Sequence, residues 1–402
     1  MSAIFNPYGI FYSTFNPDEL NRKSFAQTMM RLYPNGGAPL FGMTSMVKPS
    51  KPAVSTSHGY FTKTFIYPKI KVNGAIVAGT TTLVVDSTTG VVPGMVYQVP
   101  SSRENIRVTA VVNGTDLTIT RAFGRVAAAG INDDEDLLPA GNAHTQTSSR
   151  PVERSIQSTY VPNYTQIIRN AWALSNSSRE SLTELGYSNF SENKQDCSLL
   201  HSQDIESALL WSQAQAPAGS PLTHSTQGVI DSIYQFAPGN ITTAGATTSW
   251  DQLVTAVAPA FEYSSNLGGM SERVGFCDST GMKVLTAIGE SYAEKQITLK
   301  ETSFGMIFTE FQFYKGKIRL FEHPHFNGAG VPDPGILLIV DLPAMALAYL
   351  GSRNAKVESY DGSKDSTEQG KDATGGGLLS EFATEFKNPQ ACALINNLTA
   401  AA

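Results

Sequence analysis

The chain is short of charge. Asp, Glu, Lys and Arg make up 16% of its 402 residues, against roughly a quarter in an ordinary soluble domain. Ser, Thr, Asn and Gln carry the polarity instead, and neutral groups cost less than ions to bury against a neighbour. Two readings fit such a surface: extensive contacts between subunits, or a secreted or β-rich protein. No run of Lys or Arg occurs, and the net charge is −6. A specific nucleic-acid binder carries a basic stripe, so tight DNA binding is not expected, whereas a container whose wall must not hold its DNA tolerates mild negative charge. Cysteine is scarce. Cys197, Cys277 and Cys392 are odd in number, far apart and without metal-ligand spacing, which reads as reduced thiols in a cytoplasmic setting. The N-terminus shows no basic region followed by an apolar one, and no stretch approaches the ~20 apolar residues that cross a bilayer. Neither a signal peptide nor membrane association is expected.

Catalytic signatures are also missing. There is no G-x-S-x-G elbow, P-loop, dinucleotide-binding glycine pattern or H-E-x-x-H helix. Three short constellations remain. His323-Pro324-His325 brings two imidazoles close in sequence. The proline implies extended backbone with the rings on opposite faces, so surface or interface histidines are expected rather than a metal site. Asn132-Asp133-Asp134-Glu135-Asp136 lacks the alternate ligand spacing and glycine of a calcium loop and reads as a solvated acidic turn. Asp278-Ser279-Thr280-Gly281 misses the aspartic-protease turn by one inserted residue, and Asp278 or Ser279 reads better as a helix N-cap. No catalytic, cofactor-binding or metal residue is assigned, no cofactor is expected, and the chain is not expected to be an enzyme.

What is present is a sequence long enough for two or three compact units. Residues 1–53 are interrupted by prolines, Pro39 among them, except for a possible short helix near 18–32, and they carry Phe5, Tyr8, Phe11, Tyr12, Phe15, Phe25, Tyr33 and Phe41. Disordered tails are poor in aromatics. This pattern suits an extended arm laid on a neighbouring subunit or on its own chain. Residues 54–67 read as a strand. Residues 68–140 read as a small all-β unit with turns at Asn73-Gly74, Pro93-Gly94 and Asn113-Gly114, the last a type I′ hairpin. Residues 160–175 read as a returning strand or a strand-to-helix segment. Asp196 can cap a helix covering Leu199, Leu200, Ile205, Ala208, Leu209 and Trp211 within roughly 190–214. Further helices are expected near 249–258 and 276–293. Strands are expected at ITLKET, GMIFTEFQFY, GKIRLFEHP, ILLIVD and LLSEFATEFKN, with a glycine- and charge-rich loop at about 359–377. The fold class is α+β.

Several segments in this order resemble the major head proteins of one branch of tailed phages, many of them short-tailed. They are NYTQIIRNAWALSNSSRE (163–180), HSQDIESALLWSQ (201–213), YKGKIRLFEHPHF (314–326), ILLIVDLPAMALAYL (336–350) and GLLSEFATEFKNPQACALI (377–395). The resemblance covers most of 55–395 and implies the Hong Kong 97-type capsid fold. Its parts would be an N-terminal arm at 1–53, an E-loop excursion at 54–185 with a small all-β insertion at about 68–150, a peripheral domain with a spine helix at 186–221, an axial domain at 222–355, and a return to the peripheral domain at 356–402. The segment around 355–378 departs from the pattern. The resemblance implies a structural protein that assembles with itself into hexamers and pentamers, in the host bacterial cytoplasm, to form the virion head around double-stranded DNA without sequence-specific binding. Portal, separate scaffolding and decoration proteins would be its partners. No long Lys/Glu-rich N-terminal helix is present, so little or nothing would be removed from the N-terminus. Rival readings are a nanocompartment shell of the same fold, a β-rich phage or cell-surface binding protein, and a hydrolase whose site is not visible in sequence.

Overall fold

The computed structural model describes residues 37–47, 52–63, 69–151, 153, 155–180, 189–245, 248–263, 271–291, 297–303, 306–313, 315–327, 335–361 and 372–399. Most of the expected aromatic arm, including the helix near 18–32, lies outside the described residues. Of that stretch a helix, α1 (Pro39–Val47), is described. Pro39 starts this helix instead of interrupting one, because at the first position a missing N–H removes no intrahelical bond. The chain folds as two compact units, Phe61–Tyr160 and the remainder.

The strand expected at 54–67 shortens to β1 (Tyr60–Thr62); residues 64–68 are outside the description. The smaller unit holds β2 (Ile70–Lys71), β3 (Thr82–Val84), β4 (Met95–Gln98), β5 (Asn105–Val111), β6 (Asp116–Thr120) and β7 (Asp136–Asn142), in sheet order β2-β7-β4-β5-β6-β3. The Asn73 N–H donates to Val84 O and the Asp86 N–H to Lys71 O, each at 3.0 Å. These bonds join the two outer strands and close the sheet into a barrel. Alternate residues face inward, so Leu83, Tyr97, Ile106, Val108, Leu117 and Leu137 form a sealed interior. Asn113-Gly114 does turn a β5–β6 hairpin, but neither residue has positive φ. Instead Asn113 Oδ1 accepts the N–H groups of Thr115 at 2.8 Å and Asp116 at 2.7 Å. The Asn side chain supplies the turn, so a type I′ geometry is not needed. Glu104, fully buried, pairs with Arg121 through two bonds of 2.8 and 2.7 Å. It also accepts from Ala122 and Ala129 N–H, which holds the long 121–135 loop on the barrel. Burial pushes the Glu104 carboxyl up, but Arg121 and the two N–H groups outweigh it and hold it below the usual range.

The chain leaves through β8 (Thr159–Val161), paired with β1. In the larger unit β9 (Gln166–Ser175) leads to α2 (Asn176–Glu180) and then to α3 (Asn189–Trp211), which has neither proline nor glycine over 23 residues. Asp196 lies inside this helix and does not cap it; the helix begins at Asn189. A ribbon of β10 (Gln215–Ala218) and β11 (Thr223–Ser225) precedes α4 (Val229–Phe236) and β12 (Ile241–Thr243). Helix α5 (Trp250–Val257) starts at a capping box of Ser249 with Gln252. Next come β13 (Ser271–Cys277), α6 (Ser279–Ser291), β14 (Ile297–Ser303), β15 (Met306–Phe313), β16 (Gly316–Glu322) and β17 (Leu337–Val340). The chain ends with β18 (Met345–Tyr349), β19 (Lys356–Asp361), β20 (Ala373–Phe386) and β21 (Ala393–Asn396).

Seven of these strands form one mixed sheet, β12-β21-β17-β13-β16-β15-β14. Its centre is covered on both faces. Leu337 and Ile339 pack under α5 and α6, while Leu338 and Val340 pack with α1, α3 and α4. That explains why ILLIVD is continuously apolar and does not alternate.

The second sheet is built on β20, which pairs with β9 along one edge and with β18 and β19 along the other. The loop expected at 359–377 is therefore partly strand, with 362–371 outside the described residues. Gly375, Gly376 and Gly377 sit mid-strand, paired on both sides. The reason is the indole of Trp172: a Cβ on Gly376 would lie 2.5 Å from Trp172 Cζ2 and 2.6 Å from Glu358 O. Glycine here is a packing requirement and not a sign of looseness. Gly376→Ala is expected to lower stability by about 1–3 kcal/mol through overpacking. An unchanged midpoint in urea melts of the purified chain would contradict that.

Candidate functional site

Among the described residues, no three His, Cys, Asp or Glu side chains converge where a metal ion could be held. A groove of about 580 Å³ lies beside α5 and β12 and is lined by Thr242, Thr243, Thr248, Thr255 and Leu398, with Asp251 its sole titratable side chain. One carboxylate without a partner acid or base offers no general acid–base pair.

The acidic turn anchors the barrel's own backbone. Asp133 Oδ1 accepts from Gly74 N–H at 2.6 Å, Glu135 accepts from Ser101 N–H at 2.8 Å and from Asn132 N–H at 3.1 Å, and Asp134 meets Lys71 at 2.8 Å. Asp278 caps α6: its Oδ1 accepts from Gly281 N–H at 2.8 Å, and its Oδ2 accepts from Gly335 N–H at 2.9 Å. All three cysteines are free and buried. Burial raises each thiol pKa, that of Cys392 to about 11.

The histidine pair is not where the sequence places it. His323 is fully buried, and its ring centroid lies 5.3 Å from that of His325. Pro324 opens a short 3₁₀ turn, Pro324–Phe326, which wraps the chain back and brings the rings together. His323 Nδ1 accepts the His325 N–H at 3.2 Å, leaving Nε2 as the protonated nitrogen. Nε2 lies 2.6 Å from Glu206 Oε1, and both side chains are 0% exposed.

Glu206 is the residue the sequence reading missed. It belongs to α3 and accepts two further bonds, from Leu40 N–H at 2.8 Å and Phe41 N–H at 2.7 Å. Those are among the unpaired N–H groups of the first turn of α1. A single carboxylate therefore caps one helix from inside another and holds the end of β16 through His323. Phe276 and Phe326 pack against the imidazole, and Phe321 packs edge-on against Phe276. The one available signal was a Glu one residue beyond Ile205 on the inward face of an amphipathic helix.

Two further buried ties join distant segments. His201 on α3 sits between Asn170 Oδ1 on β9 at 2.6 Å and Ser380 Oγ on β20 at 2.7 Å. Burial holds its pKa below the ordinary value. The 52–60 segment runs as a strap: Ala53 N–H donates to Tyr349 O, His58 N–H to Asn163 O, and His58 Nε2 meets Glu385 Oε1 at 2.8 Å. His58, with help from Lys387, holds the Glu385 carboxyl at about 2.

Each of these ties joins segments that are distant in sequence. Glu206→Ala leaves His323 and two helix N–H groups without an acceptor, and is expected to cost about 3–5 kcal/mol, against a smaller loss for Glu206→Gln, which keeps an acceptor oxygen. Equal urea midpoints for wild type and Glu206→Ala would sink this account. For Glu385 the folded pKa is depressed, so its contribution is fully present above the unfolded value and is lost as pH falls from about 4.5 towards 2. Glu385→Gln should be destabilised at pH 7, by at most about 3 kcal/mol, and should converge with wild type near pH 2. A gap independent of pH would refute it.

Comparison with known proteins gives matches along nearly the whole chain. The family model described as SU10 major capsid protein matches residues 11–399. A major capsid protein of Pseudomonas phage PaMx41 is 44% identical over 403 residues, covering 97% of this chain and 96% of that protein. Among solved structures, the capsid of a native GTA particle aligns at 8% identity over 96% of this chain and 98% of that one, with a TM-score of 0.48. A structure from Gordonia phage Cozz aligns at 10% identity over 96% and 93%, also at 0.48.

Proposed function

Since the chain belongs to the SU10 major capsid protein family, we propose that its folded parts divide the work of building an icosahedral phage head. It is a phage major capsid protein, a structural component of the virion that forms a shell of itself, and not an enzyme. The observation that carries this is the 44% identity to a phage major capsid protein across almost the full length of both chains. The nanocompartment and surface-binding readings give way to it.

The finer reading is a Hong Kong 97-type subunit. Helix α3 and the β9–β20 sheet would be the stiff peripheral part, with α3 as the spine. The seven-stranded sheet with α5 and α6 would be the axial part, meeting its copies at the centres of hexamers and pentamers. The stretch 54–185 would be the E-loop excursion, with the barrel as an insertion that extends or decorates a contact with a neighbour. Each contact is modest, but every subunit makes many, and closed symmetry couples them. The low charge content supports this, because neutral polar surface is buried at small desolvation cost. Portal, separate scaffolding and decoration proteins are the proposed partners, and the host cytoplasm the proposed place of assembly.

Electron microscopy of the purified chain, alone and with its genomic neighbours, tests the reading. Uniform polyhedral shells or sheets of hexamers are expected. A stable monomer or trimer under every condition, even with a candidate scaffold present, would overturn the assembly scheme.

A further inference from the structure

The seam that closes the small barrel runs through an exposed Asn-Gly pair. The Asn73 N–H donates to Val84 O at 3.0 Å. The next residue, Gly74, has a φ of +86° and open space where a Cβ would stand. Both residues are exposed. The Gly74 N–H points at a carboxylate, since Asp133 Oδ1 accepts it at 2.6 Å. That oxygen also accepts the Asp134 N–H at 3.0 Å, so the backbone of its own turn holds it in place. The Asn73 carboxamide makes no hydrogen bond among the described residues, which leaves it free to rotate.

A second Asn-Gly pair in the barrel, Asn113-Gly114, is built the opposite way. Asn113 Oδ1 accepts from Thr115 N–H at 2.8 Å, Thr115 Oγ1 at 3.1 Å and Asp116 N–H at 2.7 Å. Its Nδ2 donates to Asp116 Oδ2 at 2.6 Å. Those bonds must break before this carboxamide can turn towards its own main chain.

We propose that Asn73 is a self-modification site, at which the Gly74 nitrogen closes on the side-chain carbon of Asn73 and the amide group is lost as ammonia. The reacting atoms belong to adjacent residues, so a side-chain rotation is all that separates them from a succinimide ring. Glycine has no side chain to shield the attacking nitrogen. Asp133 touches that nitrogen at the distance a general base requires. The Gly74 N–Cγ bond forms as Asp133 takes the N–H proton. The Cγ–Nδ2 bond breaks, and ammonia departs with that proton. Water then adds to one carbonyl of the ring and opens it to aspartate or isoaspartate, with no change of oxidation state. The product places a new negative charge beside Asp133. Isoaspartate also adds a methylene to the main chain next to the bond that closes the barrel. The seam thus carries a slow covalent mark of age, a single event on its own chain and not a turnover. The chemistry needs only the folded barrel and is independent of any assembly.

Peptide mapping by mass spectrometry tests this on the purified full chain after incubation at neutral pH. Trypsin cleaves after Lys71, Arg103, Arg107 and Arg121, so Asn73 and Asn113 fall on separate peptides. Deamidation roughly tenfold faster at Asn73 than at Asn113 is expected, with isoaspartate among the products. Equal rates, or Asn113 the faster, would overturn the proposal. Asp133→Asn keeps an acceptor oxygen for both N–H groups but cannot take up the proton in the same way, and is expected to slow Asn73 by about tenfold. An unchanged Asn73 rate in that variant would overturn the role given to Asp133.

Discussion

A carboxylate sealed from water sets the terms for the larger unit. Glu206 has no exposure and three hydrogen-bond donors, two from the backbone of α1 and one from His323. Burying a charge is tolerable only when its lone pairs are met, so the three segments must arrive together or not at all. Helix α1 cannot leave without orphaning an acceptor, and β16 cannot shift without moving the imidazole. Apolar packing around the node, from Phe276, Phe321 and Phe326, adds stability but is non-directional; the polar bonds fix the register. The same logic recurs at His201 between β9 and β20, and at Glu104 with Arg121 in the barrel. A protein poor in charge has placed several of its few ionisable groups inside, as joints between elements distant in sequence.

How far the sequence discloses this depends on the kind of signal. Continuous apolar runs such as ILLIVD mark a sheet buried on both faces, and β17 is where they indicate. Asp278 ahead of α6 is a local cap whose chemistry spans three residues, so it is legible. Signals that depend on distant partners are not. Gly375-Gly376-Gly377 looks like a loop because nothing in its neighbourhood names Trp172, 204 residues before Gly376, as the ring that forbids a side chain. His323-Pro324-His325 looks extended because proline usually enforces it, yet here the proline starts a 3₁₀ turn. The family resemblance depends on the order of many weak segments, which survives such local errors.

The barrel offers a contrast in strategy. Its two outer strands are joined to each other through Asn73, Val84, Lys71 and Asp86, which covers edges that an open sheet would present. Among the described residues, the seven-stranded sheet of the larger unit ends at β12 on one side and β14 on the other. Where a protein must pack against copies of itself at very high local density, closing a sheet on itself removes one route to unwanted β pairing.

The cysteines carry a last consequence. Thiol–disulfide exchange needs an accessible thiolate, and Cys197, Cys277 and Cys392 are buried with their pKa values raised. A virion subunit with accessible thiols would change its covalent state with the redox conditions around it. With its sulfur chemistry switched off by burial, this chain keeps one covalent structure in reducing and in oxidising surroundings.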